Sequence, residues 1–228
     1  MKRAVVLMSG GLDSTVCATV AAKEYGRENV IGLSIKYGQR HSREVISAID
    51  VKEFLQLSDY LTLTMSPEIF EGSGSSLLGE SNIPDGPYPD SLGPLSTYVP
   101  FRNGTLLSLA AAVSQRYQAQ AIYFGAHSED AANWAYPDCT PEFIGAMANA
   151  IYVGTYFKTR LITPLQWLTK AEIVKLGLEV HAPMWLSWSC YRGGRVPCGT
   201  CPTCLSRKEA FRLNGLDEGV YIAQKGVV

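Results

Sequence analysis

Cys190, Cys198, Cys201 and Cys204 stand in the spacing C-x7-C-x2-C-x2-C inside SWSCYRGGRVPCGTCPTC. Two tandem Cys-x-x-Cys steps, with Gly199, Pro197 and Pro202 supporting tight turns, let the chain wrap a small cation. Four thiolates at tetrahedral reach suit a closed structural Zn²⁺ site, one ion per chain, with no position left for water or substrate. Two disulfides, or buried free thiols, are the plainer readings, and an iron–sulfur cluster is the rival metal group. Disulfides would suit a small secreted domain. Here the apolar run of MKRAVVLMSGG is too short for a signal peptide, and 228 residues suffice for a core.

A second chemical signal lies at 9–14, SGGLDS. It follows the apolar run 3–8 (RAVVLM), which reads as a buried parallel strand, and precedes TVCATVAAKEYG, which reads as a helix ending at Gly26. A Ser/Gly turn between strand and helix is an anion site. Gly10 and Gly11 let successive amides point into one concavity, with the positive end of the helix dipole behind them. Ser9 and Ser14 add hydroxyl donors, and Asp13 can cap the helix or reach a Mg²⁺ on the phosphates. The plain alternative is a tight turn with a good cap. No G-x-x-x-x-G-K-[ST] occurs, and the G-x-G of Gly72 and Gly74 continues to Leu77 with no strand before it.

These groups need a frame. The chain alternates strand and helix as a doubly wound, mainly parallel α/β domain does. Strands are expected at 29–38, 59–65, 121–126 and near 160–163, and helices at 42–57, 104–117, 141–156 and 169–179. A last helix is expected from about Leu205. Residues 66–100, rich in Gly, Ser and Pro, break the rhythm and read as an active-site lid or a locally disordered loop. The division expected is an α/β domain over 1–186 and a four-cysteine segment with a C-terminal helix over 187–228. With 20 basic and 21 acidic residues, composition gives no global reason for a polyanionic partner. No apolar run reaches membrane-span length, so a soluble, cytoplasmic protein with reduced thiols is expected.

SGGLDS resembles the pyrophosphate-binding loop of the N-type ATP pyrophosphatases, the PP-loop or adenine nucleotide α-hydrolase-like class. With YGQRH (37–41), VPFRN (99–103), GAHSED (125–130), YPDCTPEF (136–143), TPLQWLTKAEI (163–173) and the four cysteines in order, the chain is similar to the 7-cyano-7-deazaguanine synthase family. The likeness covers nearly the whole chain, leaving aside 66–98 and the last dozen residues. It implies a ligase that converts 7-carboxy-7-deazaguanine and ammonia to the nitrile with ATP. The carboxylate would be adenylated, ammonia would displace AMP, and a second activation at the amide oxygen would lead to dehydration. It further implies Zn²⁺, Mg²⁺ with ATP, a homodimer and no direct nucleic-acid partner. ATP would lie on Met8, Ser9, Gly10, Gly11, Leu12, Asp13, Ser14, Thr15, Val16, Cys17 and Ala18.

The remaining candidates each have a plain reading. Arg102 and Asn103 could be surface and cap residues, but the resemblance puts them in the substrate site, where arginine suits phosphate or carboxylate. Asp138 could cap the next helix; the resemblance assigns it to the deazaguanine or to metal. Lys170 opens a helix, an electrostatically unfavourable place that a phosphate-directed, catalytic role alongside Asp13 and Ser14 would explain. His127 follows a strand at the edge where α/β sheets bind ligands, with Glu129 and Asp130 beside it. Arg40 and His41 follow another strand end. Cys17 reads as packing, while Cys139 is open between a family feature and a small buried side chain. A tRNA thiolase or lysidine synthetase, a zinc-ribbon binding module with a degenerate loop, and a relative delivering the deazaguanine elsewhere are the competing functions.

Overall fold

The computed structural model describes residues 2–39, 43–78, 82–90 and 92–225. Arg40 and His41 therefore lie outside the described residues. Five strands form one parallel sheet in the order β3-β2-β1-β4-β5: β1 (Ala4–Leu7), β2 (Val30–Lys36), β3 (Asp59–Thr64), β4 (Ala121–Tyr123) and β5 (Arg160–Ile162). Ala4 pairs with Val30 on one side and Ala121 on the other, so β1 is the central strand.

The pleat sends alternate residues of β1 to opposite layers. Ala4, Val6 and Met8 join α1 (Leu12–Tyr25), α2 (Arg43–Leu55), α6 (Lys170–Glu179), α7 (Pro202–Leu213) and α8 (Glu218–Gln224) in one apolar core. Val5 and Leu7 face the other layer, α3 (Arg102–Tyr117) and α5 (Pro141–Gly154), through Leu107, Ala110, Ile144 and Ile151. Because β1 is buried on both faces, its sequence is a continuous apolar run, not an alternating one.

Boundaries shift where caps decide them. α1 starts at Leu12, three residues before the expected helix, because Gly11 is its N-cap in extended backbone. Asp13, read as a possible cap, makes no capping bond; it sits inside the first turn. α7 starts at Pro202, whose missing N–H costs nothing at a first helical position. The short α4 (Ser128–Ala131) and α8, capped by the Asp217 carboxylate, were not expected. β4 stops at Tyr123, freeing residues 124–126 to line a cavity.

Residues 66–100 carry one short 3₁₀ turn, Pro67–Phe70, and no strand among those described. Phe70, Ile83, Thr97 and Val99 are nonetheless buried. The stretch bonds to two other segments: Gly93 N–H to Asn133 O, Leu95 N–H to Ala135 O and Gly86 N–H to Thr200 O. Ile83 packs in a small apolar cluster with Trp188, Cys190, Cys201 and Cys204. The four-cysteine segment is in turn tied to the main core by α7, whose Ala210 and Phe211 are buried there.

Candidate active site and four-cysteine cluster

A cavity of about 250 Å³ opens at the C-terminal edge of the sheet, across the ends of β1, β2 and β4. Strand order reverses between β1 and β4, the place where open α/β sheets bind ligands. Its floor is the turn from β1 into α1. Gly10 has φ +90°, and a Cβ there would come within 1.9 Å of the Glu44 carbonyl oxygen, so α2 leaves room for glycine only. The turn closes on its own hydroxyls: Gly10 N–H donates to Ser14 Oγ (3.1 Å), Gly11 N–H to Ser9 Oγ (3.2 Å) and Ser14 Oγ–H to Gly11 O (3.1 Å). Trp188 N–H donates to Gly10 O (2.8 Å), bracing the turn from the four-cysteine side.

Met8, Ser9, Gly11, Leu12, Asp13 and Ser14 line the cavity. Gly10, Thr15, Val16, Cys17 and Ala18 do not: they support the turn from behind, with Val16, Cys17 and Ala18 fully buried. Burial raises the Cys17 thiol far above its ordinary range, in keeping with its reading as packing.

Lys170 Nζ donates to both Asp13 carboxylate oxygens, at 2.7 and 2.6 Å. Behind them lies His127, 3% exposed, with Nε2 3.4 Å from Lys170 Nζ, 3.8 Å from Asp13 Oδ2 and 3.3 Å from Asp130 Oδ2. Burial pushes the Asp13 carboxyl up, but the Lys170 ammonium, His127 and the hydrogen bond from Lys170 outweigh it and hold its pKa below the ordinary carboxylate value. The place of Lys170 at a helix start is explained by this ion pair. The N-terminus of α6 is satisfied by other groups: Thr169 and Glu172 form a capping box, and Glu129 Oε1 accepts from Lys170 N–H at 2.8 Å. Glu129 is thus a capping residue.

Arg102 and Asn103 open α3 on the cavity wall. The Arg102 guanidinium lies 5.6 Å over the Tyr37 ring and donates to Tyr37 Oη at 3.1 Å. Asp138 does not line the cavity. It is 2% exposed and its Oδ2 accepts from Asn103 N–H at 2.9 Å, so it caps α3, while Thr140 caps the following helix α5. His127 likewise stands one layer behind the cavity surface. Cys139 reaches the wall, accepting from Asn103 Nδ2 at 3.1 Å, and burial with nearby Asp130 and Asp138 keeps it a thiol.

Sequence reasoning passed over Glu44, Tyr88, Tyr136, Trp188 and Tyr191, all on the cavity wall. Tyr136 lies inside the YPDC motif, and Trp188 and Tyr191 inside SWSCYRGG; only their side-chain direction was hidden. Glu44 and Tyr88 carry no motif. Burial pushes the Glu44 carboxyl up to about 7 against the pull of Arg102.

The four cysteine sulfurs all lie within 4.8 Å of one another, Cys198 and Cys204 being 4.0 Å apart. Sulfurs bound at about 2.3 Å in a tetrahedron lie about 3.8 Å apart, so this donor set fits Zn²⁺ after a small contraction. Three of the four are buried and no fifth ligand joins them among the described residues.

A parallel sheet ordered 3-2-1-4-5, with SGGLDS at the end of its central strand and a Cys₄ cluster beside it, defines an adenine nucleotide α-hydrolase-like protein of the PP-loop kind. The same architecture appears in the NMN synthetase structure from Francisella tularensis, with TM-score 0.51 over 98% of this chain and 81% of that one, at 17% identity. At that identity the likeness speaks for the fold. The family model described as "Queuosine biosynthesis protein QueC" matches residues 3–215. The 7-cyano-7-deazaguanine synthases of Koribacter versatilis and Acetivibrio thermocellus are each 41% identical, over 98% and 99% of this chain and 94% and 100% of theirs. That of Methanoculleus marisnigri is 39% identical over 96% of this chain and 98% of its own. The chain belongs to the 7-cyano-7-deazaguanine synthase family, enzymes that form carbon–nitrogen bonds.

Proposed function

We propose that the protein converts 7-carboxy-7-deazaguanine and ammonia to 7-cyano-7-deazaguanine by two rounds of adenylation. The observation that carries this reading is the SGGLDS turn with its Asp13–Lys170 pair, set in the floor of one cavity at the switch point of the sheet. A carboxylate resists amine attack because oxide is a very poor leaving group. Transfer of AMP to the acid oxygen, with loss of pyrophosphate, replaces it with a good one. Ammonia then forms the C–N bond as AMP leaves, giving the amide. The amide oxygen attacks the α-phosphorus of a second ATP and expels pyrophosphate; loss of two nitrogen protons and of AMP then leaves the nitrile.

In this reading the amides of Gly11 and the turn into α1, together with the Ser9 and Ser14 hydroxyls, take the departing pyrophosphate. Lys170 moves from Asp13 onto the phosphate oxygens, and Asp13, freed, is the carboxylate able to hold Mg²⁺, a hard cation that binds oxygen ligands. Bound there, Mg²⁺ would supply charge neutralisation on the phosphates. His127 and Asp130 keep Asp13 and Lys170 in register, and Asp138 holds Asn103 and Arg102 at the start of α3. The stretch 66–100 excludes water, which would return the acyl adenylate to the acid. Zn²⁺ on Cys190, Cys198, Cys201 and Cys204 would contribute folding energy and no chemistry. A cytoplasmic homodimer, with 1–186 as the catalytic domain and 187–228 as the zinc segment, completes the proposal. Among the described residues no helix is long and apolar enough to cross a membrane.

Incubation with the acid, MgATP and ammonium, followed by mass spectrometry and nucleotide chromatography, tests it. The expected products are the nitrile, AMP and pyrophosphate. ADP as the main nucleotide would overturn the adenylation route, and accumulated amide would restrict the enzyme to its first half.

A further inference from the structure

Three phenols meet on one wall of the cavity. Tyr88 comes from the 66–100 stretch, Tyr136 from the turn before α5, and Tyr191 is the residue after the cluster ligand Cys190. Tyr191 Oη lies 3.1 Å from Tyr88 Oη and 3.4 Å from Tyr136 Oη, and Tyr136 Oη lies 2.6 Å from the buried Thr97 Oγ1. Each phenol is an O–H group at physiological pH, as phenols ordinarily are, able both to donate and to accept.

Their origin matters as much as their chemistry. The phosphate-handling groups sit on β1, α1 and α6, elements of the repeating α/β frame. None of the three tyrosines belongs to a strand or long helix of that frame. Two of them ride on segments clasped together beside the cysteine cluster: Arg192 donates to Ile83 O at 3.2 Å and Asp85 Oδ1 at 2.8 Å, and Gly86 N–H donates to Thr200 O. Substrate choice in a shared fold resides in such grafted segments.

We propose that Tyr88, Tyr136 and Tyr191 form the wall that selects the flat bicyclic acid, and that the four-cysteine cluster serves this wall by fixing Tyr191. The inference rests on the proposed reaction. Three clustered phenols offer ring edges to an aromatic bicycle and O–H donors to its ring carbonyl or carboxylate, a pattern suited to a neutral-to-anionic heteroaromatic acid. The phosphates of ATP instead face the turn and Lys170.

Isothermal titration with 7-carboxy-7-deazaguanine, and separately with the Mg²⁺ complex of α,β-methylene-ATP, tests the assignment on Tyr88→Phe, Tyr191→Phe and wild-type protein. Each Phe variant removes one oxygen and keeps the ring. The expected result is acid binding weakened about tenfold per hydroxyl, with nucleotide affinity within about twofold of wild type. A merely structural role would move both affinities together. Unchanged acid binding, or an equal loss for nucleotide, overturns the inference while leaving the reaction standing. Wild-type protein that binds nucleotide but no deazaguanine overturns both.

Discussion

Asp13 and Lys170 are 157 positions apart in sequence and share two hydrogen bonds in the folded chain. Each is the other's counter-charge, so exchanging one alone leaves a part-buried ion unpaired at the cavity floor. Lys170→Met and Asp13→Asn are each expected to lower the rate of acid-dependent AMP release by about 100-fold or more, the scale of losing one preorganised charge. Retained metal content and a native far-ultraviolet spectrum would show that chemistry, and not folding, was lost. Activity surviving within a few-fold would remove that residue from the machinery. Glu44 gives a prediction in pH. Its pKa rises from 4.5 to about 7 on folding, so in that interval the folded chain binds a proton that the unfolded chain releases. Stability therefore falls as pH rises from 4.5 to about 7 and levels off above, by at most roughly 3 kcal/mol from this group. Urea titrations of Glu44→Gln across that range should lack this slope; an identical slope in both proteins would refute the assignment.

At the scale of elements, the turn between β1 and α1 depends on α2 as closely as on its own sequence. Gly10→Ala must displace either the turn or the Glu44 carbonyl and adopt positive φ as well. A loss of roughly 2 kcal/mol or more and failure to release AMP are expected, checked by denaturant titration and nucleotide chromatography. A variant with wild-type stability would mean the turn relaxes freely. The elements themselves were largely legible. A continuous apolar run marked β1, and the Ser/Gly break marked the turn, because local residue types dictate both. The contact of Asp138 was hidden for a physical reason: the resemblance assigned it to the deazaguanine or to metal, and its plain reading was a cap on the next helix, whereas its carboxylate turns back to cap α3, 35 residues upstream. The tyrosine wall was hidden similarly, since the Oη positions of Tyr88 and Tyr191, 103 positions apart, follow from loop packing that no periodicity encodes. α8 escaped because its seven residues are too few for a helical period to stand out.

For the whole molecule, the four-cysteine segment is a hub. Besides holding Tyr191, it is bolted to the core through Arg207, 4% exposed, which donates to Met184 O, Ser187 O and Ser187 Oγ and pairs with Glu218. Cys201→Ser should abolish bound zinc, measured by elemental analysis as one ion per chain in the wild type. It should also lower the melting temperature, because metal binding and folding free energy are coupled. Iron in place of zinc, or full stability without metal, would refute this.

Trp188 gives the molecule an optical consequence. Its amide bonds Gly10 O, its indole N–H bonds Cys190 O at 2.9 Å, and the Arg43 guanidinium lies 5.0 Å over its ring. The ring is 7% exposed, whereas Trp134 and Trp167 are 53% and 76% exposed and Trp185 is half-buried. Light emitted at the blue edge of the fluorescence band should therefore come chiefly from one chromophore that touches both the SGGLDS turn and Cys190 of the four-cysteine cluster. Occupying either place should change that colour and intensity, so the unlabelled protein carries its own two-channel reporter, readable against the quenchable red glow of its exposed indoles.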